Sequence, residues 1–350
     1  MTTTYSEVDD WLIQERLSIS EFLNSRITAD FKVCFSDTNN DLPRKNSLLA
    51  SYAFCARTLK IVGSLTKTQE QRFADAILKF KGVNGIYWDP YVKNNSWFIR
   101  TASGLKNLDL AKLTGKYYMI AETRQAIATL LTLGRDESTD CLYKFILENR
   151  TIENYLLTLN FKKPWHSNSH VNHLLFALRY HSKISEDEKK ANAEKIIKIT
   201  SRRFIDEINS GKLNGSQAIG GAMKLCMGAK FFDLSEAITS LYDESRFMSF
   251  APNSDACEQF NYLYAISNLM NKKLAEYEVL EYLRNWRAYK KENGGYSFYR
   301  DKSSTVYMDA KITRSKNVAD LHGTAMFSWG LVILDQLRKN PSGKFNEIIL

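Results

Sequence analysis

The sequence predicts an all-α protein. Apolar residues recur three or four positions apart through most of the 350 residues, which is the spacing of a helix face. Glycine and proline separate these segments, and no stretch of useful length alternates apolar and polar residues as a strand would. About eleven to thirteen predicted helices fit about six hairpins closed into a ring, an α/α toroid. A superhelical array of repeats is the alternative arrangement.

The first predicted helix runs from Val8 to Ile27, where Asp9 and Asp10 favour the N-terminal turn. The clearest runs from Tyr117 to Leu133 and stops at Gly134, a residue that suits the position after a helix end. The other predicted helices are Ser47–Val62, Thr68–Phe80, Thr139–Glu148, Ile152–Leu159, Ser169–His181, Glu188–Ile208, Ser216–Phe231, Leu234–Tyr242, Asp255–Met270, Glu276–Lys290 and Val318–Lys339. We expect one domain over residues 1–350, in which residues 1–45 could form an N-terminal helical extension.

Composition narrows the class of function. The formal net charge of +9 is dispersed along the chain, and no recognised nucleic-acid-binding motif accompanies it. Such a surface is not expected to bind nucleic acid specifically, whereas it suits an anionic small-molecule or polymeric substrate. No apolar run is long enough to span a bilayer, and no signal peptide precedes the first helix. Five scattered cysteines, an odd number, argue for reduced thiols. We therefore expect a soluble, cytoplasmic protein.

Three residues late in the chain could bind a metal. Asp255 and Cys257 stand at the start of an apolar helix, whose N-terminal end favours a carboxylate and a thiolate. His322 stands at the head of a later helix, in Asp-Leu-His-Gly-Thr. Carboxylate, thiolate and imidazole are all zinc ligands. The alternative interpretation makes Cys257 a small buried residue, Asp255 a helix cap and His322 an ordinary first-turn residue.

This Asp-x-Cys pair, the following Asn-Gly-Gly-Tyr turn at 293–296 and the later His together resemble the zinc-bearing end of protein prenyltransferase β subunits. Those proteins are α/α toroids related to the terpenoid cyclases. The resemblance implies that Asp255, Cys257 and His322 bind zinc, which in that family lowers the pKa of an acceptor thiol. It also implies an enzyme acting on an isoprenoid or other apolar substrate, with candidate catalytic residues Asp255, Glu258 and Tyr296. Pro252 and Ser249 stand where the prenyltransferases place basic residues for the diphosphate.

Two further segments suggest substrate contacts. Glu122-Thr123-Arg124-Gln125 resembles the inner helices of the same superfamily, so Arg124 is a candidate cavity residue; the alternative is an acid–base pair facing solvent. The aromatic and charged segment after the Gly-Gly turn supplies Tyr299 and Arg300 as candidate substrate-binding residues. Aromatic faces could stabilise a carbocation or stack on a sugar.

A histidine cluster supports a second function. Three of the five histidines, His166, His170 and His173, fall within eight residues that follow Trp165. His170 and His173 share a helix face, and His166 is expected in the preceding loop. In a carbohydrate-active toroid enzyme, a lyase, epimerase or hydrolase of acidic polysaccharide, His170 and Tyr296 would transfer protons while Trp165 and His166 contact the substrate. Alternatively the cluster caps a helix through Ser167 or Ser169. A non-enzymatic helical scaffold that binds a peptide or protein is the third function left open.

Overall fold

The computed structural model of the chain is mostly helical, which confirms the all-α prediction. It describes residues 7–37, 39–42, 48–107, 113–239, 255–269, 273–346 and 348. In chain order the α-helices are α1 (Glu7–Ser25), α2 (Leu49–Ile61), α3 (Lys67–Leu78), α4 (Pro90–Asn95), α5 (Trp97–Asn107), α6 (Lys116–Thr132), α7 (Asp140–Leu147), α8 (Ile152–Leu157), α9 (Pro164–Arg179), α10 (Glu186–Asn209), α11 (Gly215–Lys230), α12 (Ser235–Thr239), α13 (Ala256–Leu269), α14 (Glu276–Trp286) and α15 (Leu321–Leu337). A 3-10 turn (Arg287–Tyr289) extends α14, and β1 (Val306–Tyr307) pairs antiparallel with β2 (Ala310–Lys311).

Six helices contact one another in a closed cycle. Helix α2 packs on α6, α6 on α9, α9 on α11, α11 on α13, α13 on α15, and α15 returns to α2. Other helices pack against members of this cycle: α1 lies on α2 and α15, α3 on α2 and α6, α7 on α6 and α9, and α10 on α9 and α11. The core side chains of the cycle are almost all fully buried, as expected for helices that are covered by neighbours on several sides.

Two turns that share the pattern Lys-x-x-Asn-Gly-x-Tyr attach to this cycle in the same way. Residues 81–87 and 290–296 each form an isolated antiparallel bridge that ends at a tyrosine. The backbone N–H of Tyr87 donates to the hydroxyl of Thr123 on α6, at 2.9 Å, and the hydroxyl donates back to the Tyr87 carbonyl. Tyr296 and Thr324 on α15 repeat both hydrogen bonds. The two turns are therefore the same structural unit used twice.

Several element boundaries differ from the sequence prediction. Helices α4 and α5 were not predicted, although Asp89 and Pro90 are good N-terminal residues for α4. Helix α9 begins at Pro164, so His166 lies on its first turn and not in a loop. The hydroxyl of Ser169 donates to the Trp165 carbonyl one turn back, so Ser169 does not cap the helix. Of the predicted helix Leu234–Tyr242 the structure describes Ser235–Thr239; Ser249 and Pro252 also lie outside the described residues.

Four helices of the cycle have their C-terminal ends on the same side. The C-terminal ends of α2, α9, α11 and α15 border one cavity, lined among others by Ile61, Tyr180, Phe231 and Ile333. The N-terminal turns of α13 and α15 meet at the other end of the cycle. No helix in the described ranges is both long and apolar enough to cross a bilayer.

Candidate functional site

Cys257 and His322 lie side by side at the N-terminal turns of α13 and α15. The Cys257 Sγ atom is 3.6 Å from Nε2 of His322, although 65 residues separate them in sequence. Both side chains are half-buried. The sequence prediction that these two residues meet is therefore consistent with the structure.

The position of His322 is fixed by aromatic rings and by the cap of its helix. Its imidazole stacks on Phe54 at 5.1 Å between ring centroids and packs on Phe298 at 4.5 Å. Asp320 caps α15 by accepting the N–H of Gly323 at 2.8 Å. The second oxygen of Asp320 accepts two more backbone N–H groups, from Phe298 and Ser304. One buried carboxylate thus ties the helix that carries His322 to the turn that carries Phe298.

The neighbouring glycine allows this close packing. A Cβ atom on Gly323 would lie 2.4 Å from the carbonyl carbon of Ser297, far inside contact distance. The His-Gly pair in the sequence therefore brings α15 against the 293–298 turn, which places the Phe298 ring on His322.

Asp255 is placed as a helix cap. Its Oδ1 accepts the backbone N–H of Glu258 at 2.9 Å, and burial raises its pKa. Glu258 accepts the hydroxyl of Ser216 on α11 at 2.7 Å. In the described parts of the chain, no group of three or more His, Cys, Asp or Glu side chains is arranged to hold a metal ion. The structure thus brings two of the three predicted zinc ligands together and assigns the third a cap.

Burial keeps both members of the cysteine–histidine pair uncharged. It raises the pKa of the Cys257 thiol, and the charge of Asp255 raises it further. The pKa of His322 falls to about 4, first because of burial and then because of the Lys224 ammonium. The neutral imidazole is the form that binds a metal, whereas the thiol would have to lose its proton on binding.

The histidine cluster lies along α9. His166 is exposed and packs edge-on against Tyr117 of α6, at 5.5 Å between ring centroids. His170, one turn further, has its Nδ1 atom 2.9 Å from the hydroxyl of Tyr155. His173, a turn deeper, is buried, and its Nδ1 atom has no hydrogen-bond partner among the residues that the structure describes. The cluster is therefore a row leading inward from the surface and not a compact metal site.

Three cations on helices of the cycle each lie over an aromatic ring. The Lys224 Nζ atom of α11 is 4.6 Å from the centre of the Trp165 ring. The guanidinium of Arg124 on α6 is 5.4 Å from the Phe176 ring. The guanidinium of Arg57 on α2 is 4.6 Å from the Trp329 ring. Arg124 and Trp165 were predicted as cavity residues, whereas the sequence reading missed Arg57 and Lys224.

Burial lowers the pKa of each of these three cations. Burial lowers the pKa of Lys224 to about 8, and the charge of Arg124 contributes to the decrease. The pKa of Arg57 falls to about 9 for the same two reasons, and that of Arg124 falls to about 10 because of burial. The alternative prediction that Arg124 and Glu122 form a solvent-facing pair is wrong, because both side chains are buried.

A glycine on α11 makes room for the indole beside Lys224. A Cβ atom on Gly220 would lie 2.9 Å from Cε3 of Trp165. A lone lysine in the otherwise small and apolar segment Gly220–Ala229 was the signal in the sequence that could have identified Lys224 as a buried cation.

The predicted residues of the 296–300 segment point in different directions. The buried Tyr296 donates its hydroxyl to Oε2 of Glu15 on α1, at 2.6 Å, away from the Cys257–His322 pair. Tyr299 is half-buried, and its pKa is raised by burial and then by the charge of Asp255, so it lies near the start of α13. Arg300 is exposed and lies over the ring of Tyr289.

Comparison with protein-family models, with curated proteins and with solved structures finds no match. The interpretation of this site therefore depends on its own geometry.

Proposed function

We propose that this chain is an enzyme of the terpenoid cyclase and protein prenyltransferase type, built as an α/α toroid, with its reaction centre at Cys257 and His322. The observation that carries the proposal is the 3.6 Å separation of the Cys257 Sγ and His322 Nε2 atoms where the N-terminal turns of α13 and α15 meet. The closed cycle of six helices and the repeated turns at Tyr87 and Tyr296 support the toroid.

The spacing of the two side chains suits zinc. With Zn–S of about 2.3 Å and Zn–N of about 2.0–2.1 Å, a tetrahedral angle leaves sulfur and nitrogen about 3.6 Å apart. Cys257 and His322 have that separation, and the carboxylate oxygen of Asp255 that does not cap α13 would supply the third ligand. Zinc bound there would lower the pKa of an acceptor thiol or water. Phe54 and Phe298 hold the imidazole in place and offer apolar faces to the substrate.

Elemental analysis tests this proposal on full-length protein purified without a histidine tag. We expect about one zinc per chain, and we expect Cys257→Ser to lose it because a hydroxyl is a much poorer zinc ligand than a thiolate. Cys226→Ser is the matched control, since Cys226 is also buried but lies within α11 away from His322. Metal-free wild-type protein with full thermal stability would remove zinc from the proposal.

A second function is favoured by the hydrogen bond between Tyr155 and His170. A hydroxyl 2.9 Å from an imidazole, beside Tyr117 and the exposed His166, could move protons on an acidic polysaccharide. If so, His170→Ala should lower the rate on an acidic glycan by about a hundredfold or more without unfolding the protein. Wild-type protein that leaves a panel of such glycans unprocessed would exclude this candidate.

A further inference from the structure

Helix α5 packs on the rest of the protein through small and charged residues. Ser96, which precedes the helix, is buried, and so are Arg100 and Gly104, four and eight residues later. Residues four apart lie one above the other on a helix, so these three residues form the packed side of α5. The packed side of a surface helix is normally its apolar side.

The large apolar side chains of α5 are exposed instead. Trp97 is 60% exposed, Phe98 76%, Ile99 46% and Leu105 61%. Trp97, Phe98 and Leu105 fall within about 100° of one another around the helix axis, on the side away from Arg100. Single exposed apolar residues are common on protein surfaces, whereas several large ones together on one helix indicate an interaction surface.

The attachment of α5 shows at which end of the cycle it lies. The guanidinium of Arg100 is 5.5 Å from the Trp88 ring, and a Cβ atom on Gly115, the residue before α6, would lie 2.5 Å from Nη1 of Arg100. Tyr117 in the first turn of α6 packs on His166 in the first turn of α9. Helices α9 and α15 have their C-terminal ends at the opposite side, on the cavity described above. Helix α5 therefore lies at the end of the cycle that carries the cysteine–histidine pair.

The sequence around α5 is basic. Residues 90–116 contain five basic residues and one acidic residue, namely Lys93, Arg100, Lys106, Lys112 and Lys116 against Asp109. Lys93 is exposed on α4, and the exposed Lys311 lies beside α4, because the hydroxyl of Tyr91 donates to the Lys311 carbonyl at 2.8 Å. A helix with an exposed aromatic and aliphatic face and basic residues around it has the composition of helices that lie in the headgroup region of anionic bilayers.

We infer that α5 binds the surface of an anionic lipid bilayer, with Trp97, Phe98 and Leu105 inserted between the headgroups and the upper acyl chains. The lysines beside the helix would contact the anionic headgroups, and the tryptophan ring suits the boundary between headgroup and hydrocarbon. In this orientation the end of the cycle with the cysteine–histidine pair would lie near the bilayer, where apolar molecules are concentrated. The inference goes beyond the proposed function and does not depend on it.

Co-sedimentation with sucrose-loaded vesicles tests the inference on the full chain. We expect wild-type protein at about 1 mM lipid to bind vesicles of phosphatidylcholine that contain about 30 mol% phosphatidylserine. Vesicles of phosphatidylcholine alone should bind it about tenfold more weakly or less, because they lack the anionic headgroups. Raising the salt concentration from about 0.1 to about 0.5 M should weaken the binding, because salt screens the attraction between lysine and lipid.

The variant that carries both Trp97→Ser and Phe98→Ser should bind the anionic vesicles about tenfold more weakly or less, because it lacks two inserted side chains. Both side chains are exposed, so the thermal unfolding temperature should stay near the wild-type value. Leu157→Ser with Tyr277→Ser is the matched control, since these side chains are 69% and 70% exposed on α8 and α14. The control should bind as wild type does.

Trp97→Phe locates the contact. Phospholipids brominated on their acyl chains should quench part of the tryptophan fluorescence of bound wild-type protein, and less of it in Trp97→Phe, which should bind equally well because phenylalanine also inserts.

Three results would overturn the inference: wild-type protein that binds neither kind of vesicle, a Trp97→Ser/Phe98→Ser protein that binds as tightly as wild type, or equal binding to both kinds of vesicle. A wild-type dimer that becomes a monomer in the double variant, with no vesicle binding, would instead assign this face of α5 to a second copy of the chain. The zinc proposal is tested separately, because Cys257→Ser should lose metal and still bind vesicles.

Discussion

The hydroxyl of Tyr296 donates a hydrogen bond to Glu15 across 2.6 Å, joining the Gly-Gly turn to α1. Glu15 is buried and also forms an ion pair with Lys290, whose Nζ atom lies over the Tyr296 ring. The N-terminal helix is therefore attached to the body of the protein by a buried polar cluster. This contact bears on the prediction that Tyr296 is catalytic, because its hydroxyl is already engaged on the side of α1.

Tyr296→Phe distinguishes a structural role of the Tyr296 hydroxyl, as the partner of Glu15, from a catalytic role. We expect the free energy of unfolding in urea to fall by about 1 to 2 kcal/mol, because buried Glu15 loses one hydrogen bond but keeps Lys290. Zinc content should stay at the wild-type value. A variant with unchanged stability but a rate lowered a hundredfold on any substrate found would show that Tyr296 is catalytic.

The repeated turn predicts matched effects at two distant threonines. Thr324→Val should destabilise the protein by about 2 kcal/mol, because the buried backbone N–H of Tyr296 loses its acceptor. Thr123→Val should cost a similar amount through Tyr87. Thr132→Val is the control: its hydroxyl only donates to the Ala128 carbonyl in the preceding turn, so little should change. Urea unfolding of the three variants checks this, and unequal costs at 123 and 324 would argue against equivalent units.

Asp320 should be among the most sensitive positions in the protein. Asp320→Ala leaves three backbone N–H groups without an acceptor, those of Gly323, Phe298 and Ser304, so we expect a loss of about 3 kcal/mol or more. Thr66→Ala removes an exposed cap from α3 and should cost only about 1 kcal/mol. Equal effects in thermal unfolding would mean that the two contacts to the turn contribute nothing beyond an ordinary cap.

The helices, and the proximity of Cys257 to His322, could be predicted because both follow from short sequence patterns. The spacing of apolar residues identifies helices. Cys257 and His322 each stand at the start of a predicted helix, so they come close together if the two helices are parallel neighbours. Helix α4 was missed because it has only six residues, and α5, which follows it after the single residue Ser96, was missed with it although its apolar residues do favour one face. The interior cations were missed for a different reason. Arg57, Arg124 and Lys224 lie on three helices far apart in sequence, and charged residues on helices usually face solvent.

The lowered pKa of Lys224 predicts how the stability of the protein depends on pH. The pKa of Lys224 is lowered from 10.5 to about 8 by burial and by the charge of Arg124. Between about pH 8 and 10.5 the unfolded chain therefore holds this proton while the folded protein releases it, so Lys224 makes stability rise with pH in that window. Below pH 8 the ammonium is charged in both states, and the full cost of burying it remains, on the order of 3 kcal/mol.

Lys224→Met tests this dependence in urea unfolding at a series of pH values in chloride buffer. At pH 7 the variant should be more stable than wild type, because it no longer buries a charge and its thioether can still pack on the Trp165 ring. The difference should shrink as the pH rises through 8 and vanish above about 10.5, where the lysine of wild type is neutral in both states. Lys230→Met, at an exposed position, should follow wild type throughout. A variant that is less stable than wild type at pH 7 would mean that the contact of the ammonium with Trp165 outweighs the cost of burying it.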